Sequence, residues 1–143
     1  MLIQGGFGTG KTSLCAALVP WALSSFRNSR FWTEQLYLTR LKQVIQEDGN
    51  YSQAIHHLLD DDFVIYDDLG SADNKKFDPT GWRQEVIAEM VDNRWSSQLP
   101  TVITTNLTSD QILDLYGGRV HSRIFDKRNF VIVDYHSKDN RRF

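Results

Sequence analysis

The chain has 143 residues, 41% apolar and 24% charged, which suits one folded domain with one core and excludes a disordered tail. A formal net charge of −2 argues against a strongly basic nucleic-acid binder, no apolar run reaches membrane-spanning length, and Met1-Leu2-Ile3-Gln4-Gly5 lacks the pattern of a signal peptide. The single cysteine, Cys15, has no disulfide partner within the chain, which fits a reducing cytoplasm. The charge is unevenly spread: residues 1–118 hold nine Lys and Arg against fifteen Asp and Glu, residues 119–143 seven against three. Such a basic end suits phosphates, of a nucleic acid or of a neighbour's nucleotide, or is simply a solvated end.

In chain order, Leu2-Ile3 is a short apolar run that leads into glycines. Gly5-Gly6-Phe7-Gly8-Thr9-Gly10-Lys11-Thr12 then fits G-x-x-x-x-G-K-[ST] in full, followed by a helix predicted over 11–25 from Leu14, Leu18 and Trp21. A strand, a glycine turn and a helix start are what a phosphate loop needs. The glycines let backbone N–H groups curl around phosphate oxygens, and the helix dipole points its positive end at the same anion. Lys11 is predicted to neutralise the β- and γ-phosphates of ATP and Thr12 to ligate Mg²⁺, with Gly5, Gly6, Phe7, Gly8, Thr9, Gly10 and Ser13 completing the nucleotide-binding set.

Arg30-Phe31-Trp32 is predicted as a strand, 34–47 as a helix from Leu38, Leu41 and Ile45, and Tyr51 to Leu59 as another helix. Phe63-Val64-Ile65-Tyr66 is a continuous apolar run, as in a strand buried on both faces, and it ends in Asp67-Asp68. The carboxyl end of such a strand is where open α/β sheets bind ligands. Asp67 is therefore placed to hold Mg²⁺ and Asp68 to orient or deprotonate the attacking water. The following loop, flanked by Lys75, Lys76 and Arg83, is a contact for DNA or a partner, or an exposed loop without function.

Trp82 to Trp95 is predicted helical and Thr101-Val102-Ile103-Thr104 a β-branched strand. Asn106 follows that strand, either facing the nucleotide or capping a short helix from Ser109 to Tyr116, which Gly117-Gly118 would end. Arg119, Arg123 and Lys127 follow at intervals of four, one basic helical face, and Phe130-Val131-Ile132-Val133 is the last strand. Strands alternating with helices, without repeats or linkers, predict a single α/β domain over 1–143 whose parallel sheet is covered on both sides.

The phosphate loop, Ile65-Tyr66-Asp67-Asp68-Leu69-Gly70, Pro100-Thr101-Val102-Ile103-Thr104-Thr105-Asn106-Leu107 and Val120-His121-Ser122-Arg123-Ile124 come in the order found in AAA+ ATPases. Together they resemble the helicase loaders of the DnaC/DnaI type and the IstB-type transposition helper ATPases. The resemblance implies a P-loop three-layer sandwich with sheet order 5-1-4-3-2 and no C-terminal helical lid. It implies that Asn106 acts as sensor 1 and that Arg123 is an arginine finger completing the site of a neighbouring subunit. It further implies an ATPase that is weak as a monomer and self-assembles through Arg123, with a replicative helicase or transposase and single-stranded DNA as partners. Asp68 stands where the family commonly has Glu, one methylene longer, which points to slow hydrolysis. Two other readings of the residues are a nucleotide-dependent binding module with little turnover and a small stand-alone P-loop NTPase or kinase.

Overall fold

The computed structural model describes residues 1–71 and 81–135, and only the backbone of residue 48 and residues 56–59. Five parallel strands form one sheet: β1 (Leu2–Gln4), β2 (Ser29–Thr33), β3 (Phe63–Leu69), β4 (Thr101–Thr105) and β5 (Ile132–Asp134). Their order is β2-β3-β4-β1-β5, the expected 5-1-4-3-2 sequence seen from the other edge. The helices between them are α1 (Lys11–Ser25), α2 (Glu34–Asp48), α3 (Tyr51–Leu59), α4 (Trp82–Ser96) and α5 (Ser109–Ile124). Among the described residues no helix is long and apolar enough to cross a membrane.

The three layers follow from the two-residue period of the strands. Leu2, Val64, Tyr66 and Ile103 point to one side and pack with Tyr37, Leu41, Val86, Ile87, Ile112 and Tyr116 from α2, α4 and α5. Their chain neighbours Ile3, Phe63, Ile65 and Val102 point to the other, against Cys15, Ala22, Leu14 and Leu18 of α1. A strand that feeds two cores must be largely apolar at successive positions, so the run Phe63 to Tyr66 carries no charged residue.

The C-terminal elements differ from the sequence reading at two bounds. Gly117, at φ 80° and ψ 171°, ends the first segment of α5 after Tyr116 as expected, and a second helical segment follows it to Ile124. The fully buried Val120 and Ile124 pack that second segment onto the core. The helix ends before Lys127, so only Arg119 and Arg123 share a helical face. The last strand begins at Ile132 rather than Phe130, because pairing with β1 starts at Leu2–Ile132.

Candidate nucleotide site

The strand ends β1, β3 and β4 bring three predicted segments to one edge of the sheet. Gly10 is the N-cap of α1 at φ 97°, a left-handed conformation costly for any residue with a Cβ, and it offers no side chain to cap the helix. The first-turn N–H groups of α1 are thus left for an anion. Phe7 at the loop tip is 72% exposed. With Thr9, Lys11, Thr12, Ser13, Asp68 and Asn106 the loop lines a cleft of about 780 Å³.

Lys11 is 6% exposed and turns back into its own loop. Its Nζ donates to Gly5 O (2.9 Å), Gly6 O (2.6 Å) and Asn106 Oδ1 (2.6 Å), and lies 3.3 Å from Thr9 Oγ1. Burial lowers the Lys11 ammonium from its ordinary value, and Asp68 and Asp67 oppose that shift.

β3 breaks register with β4 between Tyr66 and Leu69, and Asp68 sits there at φ 62°. The irregularity turns successive carboxylates onto different partners. Asp67, 2% exposed, accepts from Thr12 Oγ1 at 2.8 Å and from Thr104 Oγ1 at 2.6 Å. The Asp68 amide, out of the ladder, donates to the same Thr104 hydroxyl at 2.8 Å, and Asp68 Oδ1 accepts from Asn106 Nδ2 at 2.7 Å. Burial first, and the Asp67 charge second, hold the Asp68 carboxyl above its ordinary value.

Asn106 is not the cap of α5. Thr108 is, in a capping box with Gln111, so the Asn106 amide is committed to Lys11 on one side and Asp68 on the other. Lys11, Thr12, Asp67, Asp68 and Asn106 form one connected hydrogen-bonded group through Thr104, which joins Asp67 to Asp68 and which the sequence marks only as a strand former. The alternation of the β4 run is the signal that would have found it: Val102 faces α1 and Ile103 the opposite layer, and Thr104 brings its hydroxyl to the acid pair.

Arg123 is not part of this group. Its Nε donates to Asp92 at 3.1 Å, its guanidinium lies 3.9 Å over the Trp95 ring, and Arg119 pairs with the same Asp92. Arg83 is not an exposed DNA contact: its side chain is 12% exposed and paired with buried Glu34. Arg94 is structural, 2% exposed, and donates to Asp61 O, Pro100 O and Thr101 Oγ1. Lys75, Lys76, Lys138, Arg141 and Arg142 lie outside the described residues.

Mg²⁺ fits the donors present. Thr12 and Asp67 offer a hydroxyl and a carboxylate 2.8 Å apart, and among the described residues no His, Cys, Asp and Glu form a cluster of the kind that encloses a metal. Mg²⁺ takes one or two such protein oxygens and completes its shell with phosphate and water.

Comparison with known proteins agrees with this architecture. The family profile described as IstB-like ATP binding protein matches residues 1–127. The replicative helicase loader DnaC of Escherichia coli K12 is 27% identical over 124 residues, 86% of this chain and 49% of that protein. The replicative helicase loader DnaI of Bacillus subtilis is 26% identical over 113 residues, 78% of this chain and 34% of that protein. The chain thus spans about half or less of the length of these curated relatives. A crystal structure of the DnaC helicase loader superposes with a TM-score of 0.75 at 23% identity, covering 95% of this chain and 77% of that one.

Proposed function

The chain belongs to the IstB-like ATP binding protein family, AAA+ proteins of the DnaC/IstB type, and on that premise we propose that it binds and hydrolyses Mg-ATP to drive loading or remodelling at DNA. The observation that carries the hydrolytic reading is the line Lys11–Asn106–Asp68, with contacts of 2.6 and 2.7 Å. The phosphate loop and the α1 N-terminus receive the triphosphate. Lys11 exchanges its loop carbonyls for β- and γ-phosphate oxygens, which frees Asn106 Oδ1 to accept from a water. Asp68, still held by Asn106 Nδ2, accepts the proton of that water as it attacks. Thr12 and Asp67 would hold Mg²⁺, which would offset phosphate charge when bound. Arg123, on the second segment of α5, serves the site of a neighbouring copy, which makes the assembly the active species.

By analogy with the helicase loaders it resembles, the chain's partner is a replicative helicase or a transposase with single-stranded DNA. Measurement of ATP affinity and turnover, with and without single-stranded DNA, tests the reading. Lys11→Ala should lose binding, and Asp68→Asn should keep binding while losing turnover. Turnover that survives Lys11→Ala would sink the proposal. A nucleotide-held binding module is the second reading, favoured by the short reach of Asp68; tight binding without turnover in any condition would select it.

A further inference from the structure

Glu34 is the first residue of α2, next to the N-cap Thr33, and it is fully buried. A carboxylate in that setting is costly unless every oxygen is paired. Here three separate elements supply the partners. Arg83 of α4 donates Nε to Oε1 at 2.5 Å. The Tyr116 hydroxyl of α5 lies 3.0 and 2.9 Å from the two carboxylate oxygens, and itself accepts from Arg83 at 3.0 Å. The third donor is the backbone N–H of Gly70, in the turn that follows Asp67-Asp68-Leu69.

The Gly70 turn is what gives Glu34 its reach. Gly70 sits at φ 95°, and a Cβ there would lie 2.4 Å from Leu107 Cδ1, so its backbone is pressed onto the residue after Asn106. Thr105 Oγ1 donates to Leu69 O at 2.8 Å and accepts from Leu107 N at 3.1 Å, which binds the same two strand ends together. The grip of Glu34 on Gly70 therefore bears on Asp68, two residues before, and on Asn106 across the turn. In the other direction Tyr116 immediately precedes the kink at Gly117, beyond which Arg119 and Arg123 follow. Burial, reinforced by the Glu34 charge, holds the Tyr116 phenol far above its ordinary value, so it stays a donor. Burial alone would lower Arg83, but its bonds to Glu34 outweigh that and keep it charged.

We propose that Glu34 is a positioning residue: it fixes the turn behind Asp67–Asp68 and, through Arg83 and Tyr116, ties it to α4 and to the segment of α5 that precedes Arg119 and Arg123. A buried ion pair adds little net stability over an apolar one, so a purely structural staple would be replaceable by apolar groups. The inference rests on reading Asp68 as the general base of hydrolysis.

The test is the full chain carrying Glu34→Gln, Tyr116→Phe, and the double change Glu34→Gln with Arg83→Met, which leaves neither charge buried alone. Thermal midpoint, affinity for a fluorescent ATP analogue, turnover, and the NMR shifts of the Asn106 side-chain amide, which donates to Asp68, are measured on each. The double variant should recover the thermal midpoint and hold nucleotide within about threefold, with turnover down by about tenfold or more. Its Asn106 side-chain amide signals should move from their wild-type positions. Recovery of turnover and unmoved Asn106 amide signals, together with recovered stability, would overturn the proposal and leave Glu34 a structural staple. A wild-type chain that binds ATP without turnover would instead fail the hydrolytic reading, and the Asn106 amide signals alone then decide the role of Glu34. Tyr116→Phe, which keeps the ring, covers the case in which the Glu34 variants do not fold: its Asn106 amide signals should move in the same sense, and unmoved ones overturn the proposal.

Discussion

Asn106 Nδ2 donates to Asp68 Oδ1 across 2.7 Å, from the end of one parallel strand to the end of its neighbour. Because the other atom of the same amide accepts from Lys11, its orientation is fixed by the two partners. On the proposed reading, a side chain so held is placed to orient a water between the γ-phosphate and Asp68. Asn106→Ala should leave ATP affinity within a few-fold and lower single-turnover hydrolysis by about 10²-fold or more, the usual loss for one preorganised donor. Equal losses in affinity and turnover would contradict that role.

Asp68 gives a pH dependence with a definite sign. Its carboxyl is raised above the ordinary 3.8, first by burial and then by Asp67, with Lys11 pulling it down. A base works only when ionised, so kcat/KM should fall, as pH is lowered, through a midpoint above 3.8. An acid raised in the folded state stabilises the fold below its unfolded value, and that contribution is lost as pH rises through the folded value. Asp68→Asn should therefore be more heat-stable than the wild type at neutral pH while turning over less. Thermal melts and initial rates on the same preparations check both halves.

Arg94 separates fold from site. It is buried and its donors fill Asp61 O, Pro100 O and Thr101 Oγ1 at the far ends of the strands from the phosphate loop. Arg94→Met would strand these acceptors, at about 1–3 kcal/mol for each one left unpaired. Urea unfolding should show a loss of about 3 kcal/mol, with ATP affinity per folded molecule unchanged.

The face that carries Arg123 is tested by complementation. If Arg123 serves a neighbour, Arg123→Ala should bind ATP normally and lose about 10³–10⁵ in assembled turnover. Mixed with Lys11→Ala, which lacks its own site but keeps Arg123, it should regain part of the wild-type rate. No recovery at any mixing ratio would place Arg123 in a role within its own subunit.

The phosphate loop, the Asp67–Asp68 strand and the α/β class were legible because each is written locally: a glycine pattern, an apolar run, a strand–helix alternation; the sheet order came only from the resemblance to AAA+ ATPases. The break at Gly117 was legible as well, because a glycine at φ 80° stops the first segment of α5, and Val120 and Ile124 hold the segment beyond it on the core. Thr104 was hidden among β-branched neighbours whose strand propensity explains them equally well. Glu34 left no trace at all. In sequence it is an acid in the first turn of a helix, a common surface choice, and its contacts with three partners exist only once Gly70, Arg83 and Tyr116 meet it.

Asp92 accepts from both Arg119 and Arg123, and one carboxylate cancels only one of two guanidinium charges. The trio of Arg119, Arg123 and Asp92 thus carries a surplus of one positive charge, with the Arg123 guanidinium stacked over the Trp95 ring. A surplus of this kind attracts an anion from beyond contact distance, and the pull fades as added salt shortens the Debye length from about 10 Å at 0.1 M. If copies of the chain meet through this face, as proposed, their encounter should weaken with added salt.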